Sequence, residues 1–348
     1  MKYYAYIGTY SVRGSKGIYL AEVDGNTGEM RILDEYEAYN PSYLAISGDR
    51  KYLYCVLEAR EIDGRYGGAA ASYKIKEDYT LELVSKAYTG GTDPCHLTAD
   101  KDDKRLFVAN YSDGKLTVFP LEDGVIVNKP VIVGHKGYGP NKERQEGPHA
   151  HCVALEKGER RLCVVDLGID KIIFYKIENN SINEDSAFVT EPGAGPRHVV
   201  FSQDGRYAWV VCELSSEIYA FDLRSASRVG IYKTLPDNFS GMNTCAAIRL
   251  SPDGKFIYAS NRGDDSIAVF RIKEDSAGLI LAGIYPTKGK TPRDFAFSPD
   301  GRFLYAANQD SDSIEVFSVQ DGILEHTGKS VKIPSPTCIL FLDNNGLQ

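Results

Sequence analysis

Residues 147–153, GPHAHCV, place two imidazoles, His149 and His151, two positions apart and directly before an apolar run. Imidazole exchanges a proton near neutral pH, and two histidines at i and i+2 on a strand share one face, so the pair suits either acid–base work or metal chelation. No compact set of further ligands at the usual spacing accompanies His149, His151 and Cys152, which argues against a metal centre. Farther along, Arg197 and Glu213 lie about equally far from an Asp204-Gly205 turn. A guanidinium fork matches carboxylate or phosphate oxygens, yet an Arg–Glu pair can equally be a structural tie between two strands. Other routes lack their residues: there is no Gly-x-Ser-x-Gly nucleophile elbow, and EPGAGPRH has neither the Gly-Lys-Ser/Thr ending nor the following helix of a phosphate loop.

The elements that carry these residues are repeats. The segments PRHVVFSQDGRYAWVVCELSSEIYAFD from Pro196, NTCAAIRLSPDGKFIYASNRGDDSIAVF from Asn243 and PRDFAFSPDGRFLYAANQDSDSIEVF from Pro292 share one pattern. Each has an apolar strand, a Ser-x-Asp-Gly-Lys/Arg turn, an aromatic-rich strand, a polar turn and a strand ending in Phe or Phe-Asp. Degenerate copies begin at Pro41, Pro94 and Pro148, so the six starts are spaced by 53, 54, 48, 47 and 49 residues. A period near 50 with several strands per unit, and no helical period of useful length, predicts an all-β, seven-bladed β-propeller. The seventh blade is split: PTCILFLD from Pro336 supplies one strand and YYAYIGTY with GIYLAEVD the others, so N- and C-terminal strands close the ring in one blade. The expectation is a single domain over residues 1–348.

Composition narrows the function classes. Hydrophobic residues at 43% and charged residues at 25% fit a soluble globular chain able to bury a core, and a net charge of −8 argues against a nucleic-acid partner. No secretory leader and no membrane-length apolar run is seen, so a cytoplasmic protein without a membrane partner is expected. Seven scattered cysteines without a C-x-x-C pair read as small, reduced core residues.

Hairpin geometry puts the residue after each leading proline beside the end of the following strand. That rim gathers His149, Arg197 and Arg293 with Glu58, Glu213 and Arg262, the last preceded by Asn261, beneath a long connection at residues 134–147. His151 falls where other repeats carry Leu44, Leu97 and Val199, an interior place. His198 and His96, one residue further along their strands, point to the opposite face from the rim arginine.

Three segments, GPNKERQEGPHAH (139–151), GPRHVVFSQDGRYAWVVCE (195–213) and SPDGKFIYASNRGDDSIAVF (251–270), resemble the lactonase family of seven-bladed β-propellers, the bacterial 6-phosphogluconolactonase type, and the likeness runs along the whole chain. The resemblance implies lactone chemistry at the central mouth, with His149, Arg197 and Glu213 as the catalytic set and Arg262 as a further member. Arg293, His151 and Asn261 complete the substrate-binding set. Hydrolysis needs water activation by Glu213 or His149 and a positive group at the developing oxyanion, with no metal or cofactor. The partner would be a small anionic lactone, a 6-phosphosugar lactone first. Alternatives are a propeller that binds a metabolite or protein without turnover, and a muconate-type lactonizing enzyme.

Overall fold

The computed structural model describes residues 1–178 and 181–342. Among these residues the regular structure is β-strand apart from a 3₁₀ turn at Gln309–Ser311, and no helix is long and apolar enough to cross a membrane. The strands build seven antiparallel sheets and a small ribbon, Glu61–Ile62 with Arg65–Tyr66. Each sheet is a meander. The third, for example, runs Ala150–Leu155, Arg161–Asp166, Lys171–Glu178, Ser181–Val189, and its neighbours in space are its neighbours in sequence. The seventh joins both chain ends: Pro336–Phe341 pairs antiparallel with Lys2–Thr9, from Ala5 opposite Phe341 to Thr9 opposite Pro336. The expected seven-bladed β-propeller, with both chain ends in one blade, is the fold observed.

The first hairpin of each sheet shows why the motif recurs. In Ser202-Gln203-Asp204-Gly205, the Ser202 hydroxyl donates to Asp204 and accepts the Tyr207 N–H at 2.9 Å, while Asp204 accepts the Arg206 N–H at 3.0 Å. Gly205 takes the left-handed conformation, φ 72°, that closes the turn. The same bonds recur around Ser298 and Asp300. In the first sheet Arg50 occupies that conformation at φ 61°, braced by Ser47 and Asp49.

Inner strands are apolar throughout because both their faces are covered. Tyr207–Cys212 and Phe303–Asn308 are buried at every position, whereas the outer strand Ser181–Val189 is largely exposed. By contact the chain forms two compact units, one of Met1–Ser15, Tyr19–Asp34 and Arg197–Gln348, the other of Lys16–Ile18 and Glu35–Pro196. In the first unit Trp209, Val211, Ile257 and Phe270 pack between the fourth and fifth sheets, and Tyr305, Ile314, Ile339 and Phe341 between the sixth and seventh. In the second unit Tyr54, Leu97, Val108 and Phe119 fill the space between the first and second sheets. Full burial of one such side chain contributes about 1.5–3 kcal/mol.

Register corrects one expectation. The innermost strands carry a one-residue bulge: Pro94 faces Asn110 but His96 faces Ala109, Ala150 faces Asp166 but Cys152 faces Val165, and Pro292 faces Asn308 but Asp294 faces Ala307. The bulged residues are therefore Cys95, His151 and Arg293. His151, not His149, is the counterpart of Arg293, and Val153, opposite Val164, takes the interior place assigned to His151. The cause is local. The strand starts two residues after Pro148, and the left-handed turn residue is Glu159, φ 53°, one beyond the glycine that marks it elsewhere. A bulge re-aims a side chain at a strand end, which is what a site on this rim requires.

Candidate active site

In the first unit, three charged side chains from two adjacent sheets meet. Arg197 is the second residue of the Pro196–Phe201 strand, and Glu213 follows the neighbouring Tyr207–Cys212 strand directly. Arg197 Nε donates to Glu213 Oε2 at 3.0 Å, with side-chain exposures of 3% and 5%. Arg262, the last residue of Phe256–Arg262 in the fifth sheet, reaches the same oxygen through Nη2 at 2.9 Å and also donates to the Cys245 carbonyl. Arg197 Nη1 donates to the Ala246 carbonyl at 2.8 Å and to His198 Nε2 at 3.0 Å. Two guanidiniums thus share one carboxylate, and the cluster keeps an excess positive charge. Arg262 Nε, buried, has no hydrogen-bond partner among the described residues and remains a donor for an anionic oxygen.

Arg293, in the same unit, donates to the Tyr10 hydroxyl at 2.6 Å with its guanidinium 5.0 Å from the centre of that ring. Asn261 is placed differently from the expectation of a substrate contact. It is fully buried, accepts from the Thr234 hydroxyl and donates to the Thr234 carbonyl and Ser266, so its amide joins the fourth and fifth sheets.

The second unit holds His149 and His151. His149 Nδ1 lies 2.9 Å from the Tyr111 carbonyl, which can only accept, so Nδ1 carries a proton and Nε2 is the nitrogen left for chemistry. The Tyr111 ring stacks on the imidazole at 4.6 Å. Nε2 faces Glu146 Oε2 at 3.3 Å, and that carboxylate is 61% exposed. Its own backbone N–H, opposed by burial, and then His149 hold the Glu146 carboxyl below its ordinary 4.5. Behind the imidazole the packing is tight: a Cβ on Gly168 would fall 1.9 Å from the Gly147 carbonyl and 2.7 Å from His149 N. His151 points Nδ1 toward Cys95 Sγ at 3.7 Å and meets the Tyr111 ring edge-on.

The long connection at 134–147 is pinned. Gln145 is fully buried and donates to the Leu167 carbonyl and to Asp170, while Arg144 donates to the Tyr111 hydroxyl at 3.3 Å. All seven cysteines are free and buried; burial pushes the Cys245 thiol up to about 11 and the Cys55 thiol to about 12, which leaves them unsuited to nucleophilic attack. Among the described residues no group of three or more His, Cys, Asp or Glu is arranged to hold a metal ion.

A family model described as lactonase, 7-bladed beta-propeller, matches residues 4–341. The chain belongs to this lactonase family. It is similar to a 6-phosphogluconolactonase of Bacillus subtilis, 35% identical over 98% of this chain and 99% of the relative, and to one of Formosa agariphila, 34% identical over 80% and 82%. The structure of a periplasmic gluconolactonase from Pseudomonas aeruginosa superposes with a TM-score of 0.92 at 32% identity, covering 98% of this chain and 99% of that one. This lactonase-family chain is accordingly a lactone-hydrolysing enzyme. Of the residues singled out from sequence, Arg197 and Arg262 both contact Glu213. Sequence reasoning missed Tyr10, Tyr111, His135 and the bond from Arg197 to His198. Tyr111 had one usable signal, since it ends a second strand at the position of Glu58 and Gln309.

Proposed function

We propose that the enzyme hydrolyses a sugar lactone carrying an anionic group, with 6-phosphogluconolactone as the first candidate, and that Arg197 and Arg262 hold anionic oxygen while His149 acts as the general base. The observation that carries the reading is the shared carboxylate: Glu213 Oε2 already takes a charge-assisted hydrogen bond from each guanidinium. A carboxylate so engaged orients cations and is a poor proton acceptor, which leaves the base to imidazole. The names of the two 6-phosphogluconolactonase relatives support the phosphosugar substrate.

His149 is suited to the role because its Nδ1–H is fixed on the Tyr111 carbonyl, and Nε2, once water displaces the exposed Glu146 carboxylate that faces it, takes the proton of that water as it attacks the lactone carbonyl. The oxygen of the tetrahedral intermediate gains negative charge, and a guanidinium is worth a few kcal/mol there, on the scale of about 2.7–4 kcal/mol for one lost oxyanion donor. Collapse breaks the ring C–O bond, and the proton held by Nε2 returns to the leaving alkoxide, giving the open-chain acid. Seven free cysteines support a reducing compartment, and we place the enzyme in the cytoplasm and in carbohydrate metabolism.

The test is acid release from 6-phosphogluconolactone, above the buffer rate, by wild type, Arg197→Met, Glu213→Gln and His149→Ala. Each variant is expected to lose at least about a hundredfold in kcat/KM. Three folded variants with wild-type turnover would refute the assignment, and a wild type no faster than buffer would favour a binding propeller.

A further inference from the structure

The repeats contain their own control for one pair of residues. At each of several sheet junctions the residue that follows the outer strand returns its N–H to the connection before the third strand: Thr89 to Gly68, His135 to Gly114, Thr234 to Ser216 and Thr287 to Asp265. Opposite it stands a residue at the end of the second strand of the next sheet. At three junctions the two are Thr and Asn, and the contact is neutral. Asn261 and Asn308 donate to the Thr234 and Thr287 carbonyls at 3.0 and 3.1 Å, and Asn110 reaches the Thr89 carbonyl through the Thr117 hydroxyl. Thr and Asn therefore suffice to join sheets.

At the junction next to His149 the same two places hold His135 and Asp166. His135 Nδ1 lies 2.5 Å from Asp166 Oδ2, and its Nε2 lies 2.9 Å from the Tyr175 hydroxyl. A carboxylate only accepts, so Nδ1 carries the proton. Asp166 is fully buried, and its other oxygen accepts the His149 N–H at 2.7 Å and the Gly168 N–H at 3.0 Å. Burying an ionisable pair where a neutral pair serves elsewhere is costly unless the charge is used.

We infer that Asp166 and His135 are positioning residues for His149. The buried carboxylate grips the backbone of the imidazole-bearing residue, and His135, itself stacked on and bonded to Tyr175, fixes the carboxylate. The Asp166 oxygen anchors the first atom of His149, Gly168 closes the space behind the ring, and the Tyr111 carbonyl sets which nitrogen is free. Support of this kind holds a reacting group within the fraction of an ångström that catalysis needs. The inference rests on the reading of His149 as the base.

The test uses substitutions that the fold already tolerates at its other junctions. The double variant His135→Thr/Asp166→Asn rebuilds the Thr and Asn pair of three neighbouring junctions and is expected to melt within a few degrees of wild type. Its kcat for 6-phosphogluconolactone should fall at least about tenfold with KM little changed, since misplacement costs rate more than binding. His135→Gln, whose amide can still donate to Asp166, should recover most of the kcat lost in His135→Leu. In wild type the ring 15N signals of His149 should report a single Nδ1-protonated form, and in the double variant an average over both. A double variant with wild-type kcat and unchanged His149 ring signals would overturn the positioning role. The two readings separate through His149→Ala: wild-type turnover there removes the base assignment, whereas an inactive His149→Ala beside a fully active double variant removes only the inference about Asp166 and His135.

Discussion

Arg197 donates from Nη1 to Nε2 of His198, its neighbour along the strand, at 3.0 Å. Adjacent strand residues ordinarily face opposite ways, and the long guanidinium reaches back across the backbone. Arginine has no acceptor, so His198 Nε2 accepts and its proton sits on Nδ1. His198→Phe leaves that guanidinium donor without its acceptor and is expected to lower kcat/KM for an anionic lactone about ten- to a hundredfold, the scale of one hydrogen bond to a charged group. His198→Gln, which keeps an acceptor, should recover much of it. Equal kinetics for His198→Phe and wild type would make the contact incidental.

Arg262 brings a second cation to Glu213 and carries a buried Nε donor that has no partner among the described residues. Such a group suits a ligand better than it suits the fold. Arg262→Met should therefore leave the melting temperature within a few degrees of wild type or raise it, while kcat/KM for the anionic lactone falls more than about tenfold. A large loss of stability with unchanged kinetics would assign the residue to structure alone.

The turn carboxylates make the fold sensitive to acid. The Ser202 hydroxyl and then the Arg206 N–H hold the Asp204 carboxyl below its ordinary 3.8. At Asp49 and Asp300 burial pushes upward, but the serine, the backbone donors and the Lys51 and Arg302 side chains together outweigh it and the carboxyls again lie low. With folded values below unfolded ones, the unfolded chain takes up protons first on acidification. The stabilisation is complete above the ordinary aspartate value of 3.8 and is lost as pH falls through the folded values. Melting curves of wild type and Asp204→Asn should differ at about pH 5 and draw together as the pH falls through the lowered folded value. A gap that stays constant over that range would mean the carboxylate charge contributes nothing.

The seventh sheet depends on its C-terminal strand. Pro336–Phe341 is buried at all six positions, and the Ile339 N–H also donates to Asp294 in the sixth sheet at 3.0 Å. A chain ending before Pro336 would expose the Lys2–Thr9 edge together with the apolar faces of Ile7 and Tyr305. Such a truncation is expected to aggregate or to lose its cooperative melt, as read by size-exclusion chromatography and circular dichroism. A soluble truncation melting like wild type would show that the strand is dispensable.

Much of this was readable along the chain, because it depends on neighbours in sequence. Ser-x-Asp-Gly turns, apolar runs of strand length and their spacing near 50 residues specify hairpins and a repeat, and the unmatched strands at both ends specify the split seventh blade. The pairing of Arg197 with Glu213 also follows, since both flank one hairpin. Other features were decided only when sheets packed. The strand that follows Pro148 starts two residues late, at Ala150, without any fixed sequence mark, and so His151 rather than His149 took the bulged position that Arg293 holds. Arg262 reaches Glu213 from the next sheet, and His135 meets Asp166 across a junction, contacts between residues 49 and 31 positions apart. Local sequence encodes strands and turns through backbone preference and side-chain alternation, but which charges meet depends on how one sheet is set against the next, and that is settled by the packing of the core.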